Sequence, residues 1–121
     1  MTGRIVTGII LSIGGLFGLL GVAAAAYSAH GSADSRLTSA VALILLAHAP
    51  ALIALAGHLP RSKIVALAIA LIVVGATLFC GDVMLKALGR DGLFWRAAPT
   101  GGLALMAGWL AVIVSGFVQR S

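Results

Sequence analysis

Charge is what this sequence has least of. Only 9% of its 121 residues are charged and three are acidic, where an ordinary soluble domain carries about a quarter charged residues. Hydrophobic residues make up 61%, and a soluble fold of this size would leave much of that apolar surface bare, because small domains keep a large share of their surface exposed. A globular domain dissolved in water is excluded, so lipid must be the solvent for most of the chain. Cysteine is nearly missing as well: Cys80 stands alone, so no disulfide can form within the chain and cysteine says nothing about redox compartment. No glycine run has P-loop or dinucleotide spacing, and no serine has an acid–base pair near it in sequence. The net charge of +5 comes from basic residues set singly between apolar runs, the distribution of groups that flank a bilayer and not of a nucleic-acid surface.

What is present is hydrophobic length. A spanning helix needs about 20 apolar residues, and four segments supply them: Ile5–Ala26, Leu37–Leu59, Ile64–Leu85 and Pro99–Val118. None alternates polar with apolar as a barrel strand would, and in lipid a lone segment satisfies its backbone as a helix. The sequence therefore predicts an all-α integral membrane four-helix bundle, up-down-up-down, forming one transmembrane domain over residues 1–121. A basic residue followed by an apolar run at the N-terminus invites a signal-peptide reading. The run from Ile5 to Ala26 is longer than the roughly 7–15 residues of such a core, so it reads as a span. The short Pro60–Lys63 connection makes an antiparallel hairpin of spans two and three. Pro50 predicts a kink in the second span, since it removes the hydrogen bond to the Leu46 carbonyl. Pro99 falls in the first turn of the fourth, where proline is tolerated.

Orientation rests on a narrow difference. Arg4, Arg61, Lys63 and Arg120 share the face of the termini, and Arg36, Lys86, Arg90 and Arg96 share the other. The positive-inside count is a tie. The three acids, Asp34, Asp82 and Asp91, all lie on the second face, and that net-charge difference places both termini in the cytoplasm, with dual topology as the alternative. Tyr27, Phe94 and Trp95 sit near span ends, where aromatic rings anchor at headgroups. The stretch Gly89–Arg96 mixes charge with these rings and is expected to lie in the interface.

Two seams of small residues follow a period of 3.5. The first span carries Leu11, Gly14, Gly18, Gly21, Ala25 and Ser28, and the fourth carries Gly101, Ala104, Gly108, Ala111 and Ser115. Such seams let helix backbones approach closely and gain dispersion energy in lipid. They serve packing inside one bundle or, in the sharper reading, contact with another chain.

Few side chains could carry chemistry. His30, His48 and His58 do not share a depth, and Cys80 has no soft partner nearby, so no metal, haem or other cofactor is expected. His48 lies near the middle of the second span, where a titratable group is a functional candidate by default. The plainer reading is a neutral imidazole bonded to a backbone carbonyl, with that of Leu46 freed by Pro50. Asp82 is the sole acid in a span, and Lys86 follows four residues later in the favourable acid-before-base order. With His30, at the same end of the first span, they are expected to form a polar cluster. Its plain reading is a salt bridge near the interface; its functional reading is a proton- or cation-linked carboxylate.

Ala29-His30-Gly31, Ala47-His48-Ala49, Leu78-Phe79-Cys80-Gly81 and Ala98-Pro99-Thr100-Gly101-Gly102 leading to Gly108-Trp109 run through the chain in order. On these pieces the sequence resembles the YgdD-like family of small four-helix proteins of bacterial inner membranes, whose function is unknown. The resemblance implies the fold and an inner-membrane location. It assigns no activity, and the family's usual serines stand here as Cys80 and Asp82, so neither inherits a role. The leading expectation is a non-enzymatic membrane protein that packs with itself or with a larger membrane complex. The competing ones are a small proton- or cation-linked transporter or channel acting as a homo-oligomer and, behind it, a lipid- or quinone-binding enzyme subunit.

Overall fold

The computed structural model describes residues 2–31 and 33–120. Each apolar run becomes one helix: α1 (Thr2–His30), α2 (Ser35–Ala56), α3 (Lys63–Ala87) and α4 (Ala97–Arg120), with a single 3-10 turn at Leu59–Arg61. All four are long and apolar enough to cross a membrane. Their ends are set by polar caps and by glycine. The Asp34 carboxylate accepts the Arg36 N–H at 3.0 Å to open α2, and the Ser62 hydroxyl accepts the Val65 N–H at 3.2 Å to open α3. These are standard acceptors for the orphan amides of a first turn. Gly89 closes α3 at φ +78, with Gly89 N–H bonded to the Lys86 carbonyl at 3.0 Å and Arg90 N–H to that of Leu85 at 2.9 Å. This is a Schellman closure, which needs a residue comfortable at positive φ.

The bounds of α2 and α1 differ most from expectation. α2 stops at Ala56 instead of Leu59 because Gly57 and the turn containing Pro60 end it. α1 begins at Thr2 and runs on through Tyr27 and Ser28 to His30, since nothing in that stretch breaks a helix. At 29 residues it is roughly 44 Å long, more than the ~30 Å hydrocarbon core requires. α2 runs without a break through Pro50, whose side faces outward.

The helices pack chiefly on their neighbours in sequence: α1 on α2, α2 on α3, α3 on α4. The inner pair is better covered, with 44% and 39% of the spanning windows of α2 and α3 buried against 22% and 28% for α1 and α4. The registers show the directions. A Cβ on Gly14 would meet Ala49 and Ile53, one on Gly21 would meet Leu46, and the Ser28 hydroxyl lies 2.7 Å from that of Ser39. As α1 rises α2 falls, so the pair is antiparallel. In the same way Gly101 lies at Gly75, and Gly108 at Ala68 and Ile72. The bundle is therefore up-down-up-down, with the start of α1 and the end of α4 at one end. Leu52, Ala68, Ile72 and Ala76 are fully buried at its centre.

Both glycine seams are used inside the chain. The buried stripe of α1 is Ile10, Gly14, Phe17, Gly21 and Ala24. Leu11 and Ala25, expected in that stripe, are exposed, because a lone helix repeats every 3.6 residues and a 3.5 pattern drifts off the contact. Gly18 sits at its margin, partly covered.

Candidate functional site

Thr38, His48, Asp82 and Ser115 are the buried polar or charged side chains among the described residues. Thr38 and Ser115 turn their hydroxyls back on their own helices, to the Asp34 and Ser35 carbonyls at 3.3 Å and to that of Val112 at 2.8 Å. His48 and Asp82 reach across to other elements, and both reach toward α4.

His48 lies on α2 and is only 6% exposed. Its Nε2 stands 3.0 Å from Nε1 of Trp109 on α4. An indole N–H can only donate, so Nε2 is the acceptor. The imidazole proton is then on Nδ1, which donates to the Ile44 carbonyl at 2.7 Å. Both nitrogens are used in a neutral ring, and the rings meet at a tilt of 54° with centroids 5.7 Å apart. The acceptor is Ile44, not Leu46. A helical side chain leans over the turn before it, toward position i−4, whereas the residue two before faces the other side. Trp109 was not singled out as a partner by sequence. The signal was available: α2 and α4 run the same way, Trp109 falls near the middle of its helix as His48 does, and an indole N–H in hydrocarbon needs an acceptor.

Asp82 lies on α3 with no exposed surface. One carboxylate oxygen, Oδ2, is 2.9 Å from Lys86 Nζ, whose side chain is half exposed. The other, Oδ1, accepts the backbone N–H of Leu93 at 2.9 Å, and the amide of Ala98, in the first turn of α4, acts on the same group. Gly92 leaves the space that the carboxylate fills, because a Cβ there would run into Oδ1. The charge is thus taken up by an ammonium that snorkels to water and by amides that would otherwise lack partners.

The expected cluster of His30, Asp82 and Lys86 is only half assembled. His30 is exposed at the end of α1, and no hydrogen bond or ion pair joins it to Asp82 among the described residues. At about 100° per residue, Asp82 falls on the side of α3 that bears Gly75 and meets α4. The side turned to α1 bears Ala76, Cys80 and Met84. There α1, α2 and α3 line an apolar groove of about 480 Å³ among whose lining residues only Tyr27, Thr77 and Cys80 carry a polar side-chain atom. The Thr77 hydroxyl is bonded to the Val73 carbonyl at 2.7 Å, and the Cys80 thiol points to that of Val41 at 3.9 Å. His58 is exposed beside the 3-10 turn. No three of His, Cys, Asp and Glu come together among the described residues as a metal ion would require.

Residues 24–102 match a protein family described as a protein of unknown function, DUF423. The matched stretch includes His48, Asp82 and Lys86 and stops short of Trp109. No solved structure matches the chain.

Proposed function

The chain belongs to the DUF423 family, and we propose that within it this protein is a non-enzymatic, structural component of a bacterial cytoplasmic membrane that packs with itself or with a larger membrane complex. The observation that carries this reading is that Thr38, His48, Asp82 and Ser115, the buried polar side chains among the described residues, are all engaged inside the chain. A transporter needs intramembrane polar groups that change partners as substrate moves. Here His48 and Asp82 serve as fasteners for α4. The outer helices meanwhile keep most of their spanning windows uncovered, and α1 shows Gly8, Ser12 and Gly15 on its open side. Small residues of this kind let a further helix approach. The likeness to the YgdD-like proteins and the cytoplasmic placement of both termini belong to this reading.

Isolation of the full chain from native membranes in mild detergent tests it. The expected product is a homo-oligomer or a stoichiometric complex with a larger membrane protein, and proteoliposomes containing it hold a proton gradient as well as protein-free ones. A homo-oligomer that dissipates the gradient, and stops doing so as Asp82→Asn, would instead establish the proton- or cation-linked reading, and a monomer that does neither would overturn the packing reading.

A further inference from the structure

The segment joining α3 to α4 is short, pinned and unusually bare. Leu88, Leu93, Phe94 and Trp95 are 49%, 47%, 54% and 83% exposed, in a stretch that directly joins the ends of two spanning helices. It is not a loose loop. The Schellman turn at Gly89 fixes where it leaves α3, and the Leu93 amide is bonded to the buried carboxylate of Asp82. Apolar side chains held outward at that level meet the boundary between acyl chains and headgroups, where Trp rings partition best.

The cations of the segment are placed to match. Arg96 stacks its guanidinium over the Trp95 ring, 4.5 Å from the centroid. Neither Arg90 nor Arg96 is in an ion pair among the described residues, whereas Lys86 is engaged with Asp82 and Arg36 with Asp34. Asp91 is the single acid of the segment, so positive charge is in excess. Arg96 also adopts φ 63, a left-handed conformation that costs a long side chain and that glycine or asparagine would take more readily. The backbone alone does not favour arginine there. A planar fork of donors, held over an indole at the end of the spanning helices, suits a phosphate.

We propose that this segment is a phosphate-binding interfacial plate: Arg96, braced on Trp95 and aided by Arg90, binds the phosphodiester of an anionic phospholipid while Leu93, Phe94 and Trp95 enter the leaflet beside it. The site is independent of what the helices pack against.

The test uses the full chain in nanodiscs of phosphatidylcholine with a minor share of phosphatidylglycerol, with retained lipids counted by native mass spectrometry. The wild type retains phosphatidylglycerol about fivefold above its share, as expected for one cation at an anionic surface. Arg96→Gly falls to that share, while its unfolding temperature stays the same or rises because glycine accepts the positive φ. Trp95→Ser, at a position 83% exposed whose ring contact is with Arg96, falls likewise and decides the matter if Arg96→Gly does not fold. Excess inorganic phosphate leaves the wild-type enrichment intact. Enrichment that survives both substitutions, or is missing in the wild type, overturns the proposal. So does displacement of the lipid by free phosphate, or a lipid-free dimer that covers Trp95.

Discussion

The two halves of the bundle are both held by glycine, in different ways. Where α1 meets α2, the space at Gly14 and Gly21 is filled mainly by the side chains of Ile53 and Leu46, at 2.9 and 2.8 Å from where a Cβ would stand. Where α4 crosses α3 at Gly101 and Gly75, the nearest neighbours are backbone: a Cβ on Gly101 would lie 2.6 Å from both the Gly75 carbonyl oxygen and the Phe79 nitrogen, and one on Gly75 would lie 2.7 Å from the Gly101 oxygen. The first seam is side chain in groove and can adjust; the second is main chain on main chain at Gly75 and Gly101 and cannot adjust there, while at Gly108 the nearest atom is again a side chain, Ile72 Cγ1 at 2.9 Å. The polar ties follow the same division. α1 is tied to α2 by surface hydroxyls, Ser28 donating to the Ser35 carbonyl at 3.2 Å and meeting the Ser39 hydroxyl at 2.7 Å. α4 and the segment before it are tied to the inner helices by the buried His48 and Asp82. Close approach and buried polarity go together because a buried polar group holds only if its partner is fixed within hydrogen-bond reach.

Gly101→Ala is expected to do the most damage. The added methyl meets backbone on both sides, so the helices must separate along the seam, at a cost at or above the upper end of the ~1–3 kcal/mol typical of overpacking. Thermal unfolding in detergent should show the largest drop of any substitution considered, and a mild effect would mean the α3–α4 contact is looser than described. Asp82→Ala comes next. It strands the Leu93 amide and leaves Lys86 without its partner, for about 1–3 kcal/mol; the half-exposed lysine can turn to water, which limits the loss. Asp82→Asn keeps an acceptor for Leu93 and should cost clearly less in the same assay.

Gly14→Ala and Gly21→Ala sharpen the contrast between the seams. Ile53 and Leu46 can rotate away, so each should cost about 1 kcal/mol, near the low end for overpacking. Equal losses at Gly14 and Gly101 would erase the distinction. The smallest change belongs to Gly18→Ala. Its methyl would meet the Ala49 Cβ at 3.7 Å, an ordinary contact, and removing a helical glycine is worth roughly 0.5–1 kcal/mol. The unfolding temperature should hold or rise.

Much of this organisation was legible from residue type and spacing. Uninterrupted apolar runs specify spanning helices because lipid leaves the backbone no other partner, and Gly14, Gly21, Gly101 and Gly108 stood out as a seam by period alone. The polar contacts were less legible. The Asp82–Lys86 pair follows from a four-residue step on one helix, which geometry fixes. The Leu93 amide and Gly92 come from a loop whose path depends on how α3 ends, and no periodicity encodes that. His30 was misplaced because sharing an end of the bundle says nothing about which side of α3 a residue faces. Trp109 was overlooked though depth could have paired it with His48.

The neutral, doubly bonded imidazole of His48 is the point on which a fastening role and a conducting role part most sharply. Nitrogen-15 solid-state NMR of histidine-labelled protein in bilayers at neutral pH measures it directly. The expected spectrum has a single His48 tautomer with the proton on Nδ1 and Nε2 bare, coupled to the Trp109 N–H and lost in Trp109→Phe. An imidazolium, or a tautomer with the proton on Nε2, would contradict it, because in neither can Nε2 accept the bond from the Trp109 indole.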